Sequence, residues 1–100
     1  MELVITHNSD KHRFETIVEG HMAVVEYNLF NNGINFTHTE VPAELEGKGI
    51  GKALAKYVLD YARENHLKVM PLCPFIKGYI DRHPEYADIS MLHGIKKENW

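Results

Sequence analysis

Cysteine occurs once in this chain, at position 73, and one thiol cannot close an intramolecular disulfide. That scarcity excludes a disulfide-stapled secreted scaffold. Together with a start that has neither a basic segment nor an apolar signal core, it points to a reducing, cytoplasmic setting. Long apolar runs are missing too: each is broken by polar residues well short of the roughly 20 that a membrane-spanning helix needs. Positive charge is not in excess. Eleven Lys and Arg stand against 14 Asp and Glu, a formal net charge of -3, so neither nucleic acid nor an anionic membrane is attracted globally, and an anionic ligand must be held by a local site. His7, His12, His21, His66, His83 and His93 show no H-x-x-x-H or clustered spacing, so no metal site is expected. No repeat, linker or low-complexity segment divides the 100 residues, and 44% hydrophobic with 25% charged residues fits a single globular domain over 1–100 with one modest core.

The first forty residues carry strand signals. Glu2 to Thr6 reads as a first strand ending in the polar turn His7-Asn8-Ser9-Asp10, Arg13 to Val18 as a second closed by Glu19-Gly20, and His21 to Phe30 as a long third. Asn31-Asn32-Gly33 supplies the left-handed residues of a tight hairpin. In Ile34 to Val41, Ile34, Phe36, His38 and Glu40 alternate with Asn35, Thr37, Thr39 and Val41, which predicts a fourth strand of an antiparallel meander. Pro42 ends the ladder.

The pattern then changes period. Glu46-Gly47-Lys48-Gly49-Ile50-Gly51-Lys52 is a glycine-rich turn running into a helix, with apolar or aromatic residues at 50, 53, 54, 57, 58, 61 and 62. Leu67 to Cys73 reads as a buried strand in which Pro71 hints at an edge or bulge. The strand-helix-strand order predicts parallel pairing with the strand before the turn. Pro74 suits the first turn of a second helix over Phe75 to His83, and Glu85 to Trp100 reads as a loosely structured tail with room for a short helix or edge strand. Tyr57, Tyr61 and Phe75 read as core.

A glycine turn followed at once by a helix N-terminus binds anions through free N-H groups and the positive end of the dipole. Three ligand classes use such a turn. A P-loop is excluded, because Glu46 stands where glycine is required and Ala53 where a hydroxyl is required. A dinucleotide fold fits badly after an antiparallel meander. A helix-hairpin-helix DNA module matches the spacing of Leu45 to Tyr57 but needs a helix before the turn, where the sequence is strand-like and contains Pro42.

The order of meander, glycine turn, amphipathic helix, strand and second helix resembles the GCN5-related N-acetyltransferase family. Glu46-Gly47-Lys48-Gly49-Ile50-Gly51 matches its Q/R-x-x-G-x-G/A signature at Gly49 and Gly51, with Glu46 where Gln or Arg is usual. His38-Thr39-Glu40-Val41-Pro42 and Leu72-Cys73-Pro74-Phe75 with Tyr79 look like the family's small stand-alone branch, called YjdJ-type. The resemblance implies a minimal α+β fold, mainly antiparallel, with a β-α-β unit for acetyl-CoA and a second helix toward the C-terminus. It implies that Gly47, Lys48, Gly49, Ile50, Gly51 and Lys52 hold the coenzyme A pyrophosphate, and that the pantetheine arm lies between the strands 34–41 and 67–73. Lys48, Lys52 and Lys56 recur every fourth residue beside the turn, although Lys56 also reads as part of a solvated face.

The reaction so implied is acetyl transfer from acetyl-CoA to an amine on a small molecule or protein, by a monomer or homodimer, without a metal, a nucleic acid or a membrane. His38 is the candidate base, since an imidazole titrates at about 6.5, and Glu40 on the same face orients it or acts as base itself. Backbone N-H groups near Val41 polarise the carbonyl, and Tyr79 is a candidate proton donor to the leaving thiolate. Cys73 opens a second route through an acetyl-cysteine, and its other reading is a buried packing residue. Where larger members insert two helices between the first two strands, this chain has a short polar turn. That predicts an open acceptor side and keeps as alternative functions a non-catalytic coenzyme-binding or interaction module and, behind it, the helix-hairpin-helix DNA-binding module.

Overall fold

The structure, a computed structural model, describes residues 3–93. Five strands, β1 (Thr6–Asn8), β2 (Arg13–Val18), β3 (His21–Phe30), β4 (Gly33–Glu40) and β5 (Lys68–Pro71), form one sheet in chain order. The first four pair antiparallel, and β5 joins β4 in parallel through α1 (Ile50–Glu64). α2 (Pro74–Arg82) follows β5, with Pro74 in its first turn, where a missing N-H costs nothing. The α+β, mainly antiparallel architecture agrees with the expectation.

The opening strand does not. β1 covers Thr6–Asn8 rather than a segment ending at Thr6, because His7, assigned to a turn, pairs with Phe14 and stacks on its ring at 4.2 Å. The turn comes later: the Asn8 side chain accepts from the Lys11 N-H, and His12 takes a left-handed φ of 54°. In the hairpin after β3, Asn32 supplies the positive φ, while Gly33 already belongs to β4, where the Phe30 ring fills the space of a side chain.

β4 contains the irregularity on which the site depends. Tyr27 pairs with Phe36 and Glu26 with His38, so Thr37 is an extra residue, a β-bulge, and its hydroxyl donates to the Glu26 carbonyl at 3.3 Å. The expected alternation therefore breaks. Ile34 and Phe36 face the helices, but beyond the bulge it is Thr39, paired with the fully buried Val25, that faces them. His38 and Glu40 turn to the other side.

β5 pairs with β4 only from Gly33–Lys68 to Phe36–Pro71. One more link follows, from the Cys73 N-H to the Phe36 carbonyl at 2.8 Å. From Thr37 onward the two strands part, and among the described residues nothing pairs with that edge of β4.

One hydrophobic core joins Phe14, Val25, Tyr27 and Phe36 of the sheet to Leu54, Val58 and Leu59 of α1 and to Ile76 and Ile80 of α2. Both helices lie on this side. The other face exposes Ile17 and Met22 and has no covering element among the described residues, so the molecule is thin, 49 × 29 × 19 Å. α1 buries positions 50, 51, 54, 55, 58, 59 and 62. Ala55 and Leu59 are added to the predicted stripe because α2 packs beside it, which leaves Tyr57 42% exposed instead of in the core. The helix ends in a Schellman-type turn, with His66 at φ 58° and the Leu67 N-H bonded to the Ala62 carbonyl at 2.8 Å.

The tail is more ordered than expected up to residue 93. A 3₁₀ helix over Pro84–Ile89 buries Tyr86 and Ile89, and the Met91 N-H bonds to the Val69 carbonyl at 2.7 Å. The Arg63 guanidinium grips the Asp88 carboxylate and the Glu85 carbonyl, and the Tyr86 hydroxyl donates to Asp60 at 2.7 Å. Ile95 and Trp100, also assigned to the tail, lie outside the described residues.

His7 makes this packing sensitive to acid. Its Nε2 accepts from the Tyr27 hydroxyl among the rings of Phe14 and Tyr61, and burial lowers its pKa below the ordinary 6.5. The unfolded chain takes up the proton first. The contribution of His7 is therefore present in full above pH 6.5 and is lost as pH falls from there through the lowered folded-state value. Urea midpoints measured across this range will fall on the acid side, and less steeply in a His7→Phe variant. Equal slopes in the two proteins would show that His7 does not carry the effect.

Candidate functional site

The C-terminal ends of the parallel strands β4 and β5 lead into the N-terminal turns of α1 and α2, the end of a parallel unit where ligands bind. Here a groove of about 420 Å³ is lined by Val41, Leu45, Glu46, Gly47, Gly49, Ile50, Gly51, Lys52 and Phe75.

Its rim is polar backbone. After β4, a short 3₁₀ turn over Ala43–Leu45 drives Leu45 fully into the core and releases the chain at Glu46. Gly47 and Gly49 take φ of 82° and 76°, and a Cβ on either would meet nothing within 4 Å, so conformation rather than crowding requires glycine there. Gly49 caps α1 without a side chain, and the first helical bond runs from the Ala53 N-H to the Gly49 carbonyl at 3.1 Å. The N-H groups of Ile50, Gly51 and Lys52 thus have no acceptor within the helix. No acidic residue lies in the first turn of α1 to compete for them.

The groove gathers all but one of the residues predicted to hold a cofactor. Lys48 is the exception: it is not a lining residue, and its ammonium pairs with Glu19 at 3.3 Å. Lys56 is likewise engaged, with Asp60 at 2.7 Å, as the reading of a solvated face anticipated. Lys52 lies at the lip without a carboxylate partner among the described residues. Glu46 shares that lip and is the one acidic residue among those lining the groove.

The four residues singled out for chemistry separate into three places. His38 Nε2 lies 3.4 Å from Glu40 Oε1, both exposed on the uncovered face of the sheet. Cys73 is buried on the helix side, and its thiol donates to the Thr39 hydroxyl at 3.3 Å across the opening between β4 and β5. Tyr79 is buried one turn into α2, stacked on His83 at 3.9 Å, and burial raises its pKa, so it holds its proton. The bulge thus puts His38 and Cys73 on opposite sides of β4, with the gap between the strands as the passage from one to the other.

Two residues of this region were not legible in the sequence. Thr39 faces Cys73 only because the bulge reverses the alternation, and nothing in the local sequence announces a bulge. Phe75 reads as core, yet it is 37% exposed and forms a wall of the groove. Its place directly after the helix-starting Pro74 was the available signal. The helix that a DNA-binding hairpin needs before the turn is absent: β4 and a 3₁₀ turn stand there instead.

Fold and site together define an α+β domain with one β-α-β unit whose glycine turn leaves the first N-H groups of α1 free, opened between its two parallel strands. Comparison with known proteins gives the family. The profile of the GCN5-related N-acetyl-transferase family matches residues 13–89, more than half of the chain, and the protein belongs to that family. Protein NATD1 of Mus musculus is 34% identical over 83 residues, covering 80% of this chain and 76% of that protein. The Danio rerio protein of the same name is 30% identical over 91 residues, covering 86% and 83%. A solution structure of a Staphylococcus aureus protein described as GCN5-like superposes with a TM-score of 0.73 at 34% identity, covering 95% of this chain and 92% of that one.

Because a Cβ at Gly49 meets open space, Gly49→Ala changes backbone strain alone. Its unfolding free energy in urea will drop by about 1 kcal/mol, the cost of a left-handed alanine. An unchanged value would mean that the turn does not need its positive φ.

Proposed function

We propose that this protein is an N-acetyltransferase of the small stand-alone branch that uses acetyl-CoA and transfers its acetyl group to an amine. The observation that carries the proposal is the parting of β4 and β5 after Phe36 and Pro71, in line with the amide-rimmed groove. The residues fit the cosubstrate. Backbone N-H groups of the α1 first turn and Lys52 suit a pyrophosphate, Val41, Ile50 and Phe75 suit the uncharged arm, and the unpaired edge of β4 offers N-H groups near Val41 to a thioester carbonyl.

The amine enters from the uncovered face. There His38 takes its proton while Glu40 holds the imidazole, the amine nitrogen attacks the acetyl carbon, and the carbon–sulfur bond breaks. Tyr79, kept protonated by burial, supplies the proton to the departing thiolate. Direct attack is favoured over an acetyl-cysteine because the thiol of Cys73 is buried and turned toward Thr39, away from the face that carries His38.

Calorimetry with acetyl-CoA will show binding by the natural chain and none by the Gly49→Asp, Gly51→Asp double variant. Binding that survives both carboxylates would sink the site assignment. With an amine acceptor found by a mass-based screen, His38→Gln will lower kcat by about 10²-fold, the usual contribution of a general base. Intact mass after incubation with acetyl-CoA will show no acetyl group on Cys73, and Cys73→Ala will remain active. An acetylated Cys73 together with an inactive Cys73→Ala would instead establish the covalent route.

A further inference from the structure

Gly51 is glycine for a different reason from Gly47 and Gly49. It lies inside α1 with an ordinary helical backbone, so no left-handed conformation requires it. A Cβ there would instead stand 2.8 Å from Cζ of Phe75 and 3.4 Å from its Cε2. The ring rests on the bare first turn of α1, and this contact brings the first turns of the two helices together. The same residue is 37% exposed and lines the groove together with Val41.

Its position along the groove is fixed by chain connectivity. Phe75 is two residues beyond Cys73, which borders the opening between the strands, and it touches Gly51 among the free amides of α1. A ligand whose phosphates sit at those amides and whose thioester reaches the opening lays its connecting arm along the stretch of groove that Phe75 lines. We infer that Phe75, seated on Gly51, is a binding residue for the uncharged arm of the coenzyme, and that the missing side chain of Gly51 serves as the seat of this ring and not as an approach for phosphate. The inference rests on the coenzyme A reading and assigns the groove two parts: amides for the phosphates, and an aromatic wall for the arm. An aromatic face is well suited to an aliphatic chain, because it offers a large contact area with little freedom to lose.

The test uses coenzyme A and ADP as probes, since ADP carries the pyrophosphate without the arm. Affinities are measured by calorimetry for the natural chain, Phe75→Ala, Gly51→Ala and the double variant, with thermal unfolding to confirm that each is folded. Phe75→Ala is expected to weaken coenzyme A by about tenfold and ADP by less than about twofold. Gly51→Ala, which pushes the ring into the groove, is expected to weaken coenzyme A similarly, and the double variant to bind no worse than Phe75→Ala alone.

If Gly51 serves the phosphates, Gly51→Ala will cost as much in the Phe75→Ala background as in the natural chain and ADP will weaken with it, and the inference is overturned. Coenzyme A binding unaffected by Phe75→Ala overturns it as well, while leaving the coenzyme reading intact. Failure of the natural chain to bind either probe overturns that reading and this inference together. Should Phe75→Ala not fold, Phe75→Leu keeps the apolar volume but removes the ring edge, and a selective loss of coenzyme A over ADP carries the same decision.

Discussion

The extra residue Thr37 is the constraint on which the rest of this structure depends. A sheet whose strands kept perfect register would pair β4 with β5 to its end and would have no room for a ligand between them. One inserted residue strengthens the local twist and reverses which side chains face the helices, and it coincides with the end of the parallel pairing at Phe36, where β5 itself stops and turns at Pro71. The inward turn of Thr39 and the outward turn of His38 and Glu40 are two results of the same insertion, and the gap opens beside it. The Thr37 hydroxyl, bonded to the Glu26 carbonyl, ties the bulge to β3 and keeps it in place.

What the sequence made legible follows from how local each cause is. β2, β3 and α1 were readable because β-branched residues and a three-four apolar spacing act within a few positions. The glycine turn was readable because positive φ and a free helix N-terminus are properties of the turn alone. The bulge was not, since whether Thr37 or Thr39 pairs with β3 is decided by the packing of Val25 and Phe36 against the helices. The roles of His7 and Phe75 escaped for the same reason. A histidine next to Asn-Ser-Asp reads as turn until Phe14 is placed beneath it, and a phenylalanine reads as core until Gly51 is found under its ring.

The arrangement also separates two demands that a small domain must meet with little material. Stability comes from the single layer of helices on one face, where the fully buried Phe14, Phe36, Leu54 and Leu59 meet. The chemistry proposed for His38 lies on the other face, over which no element packs among the described residues. Side chains on that face can therefore change without disturbing the core, and the strand that carries both sets belongs to neither alone.

α1 and α2 leave parallel strands at the same end of the sheet, and their first turns touch through Gly51 and Phe75. Each helix N-terminus carries roughly half a positive elementary charge. Side by side, two such ends form a local positive field on a molecule whose net charge is negative. The anionic coenzyme proposed for this site would meet that field at one end of a molecule whose side chains sum to a negative charge. Lys52 and Glu46 share that end, but the peptide part of the field does not change with pH.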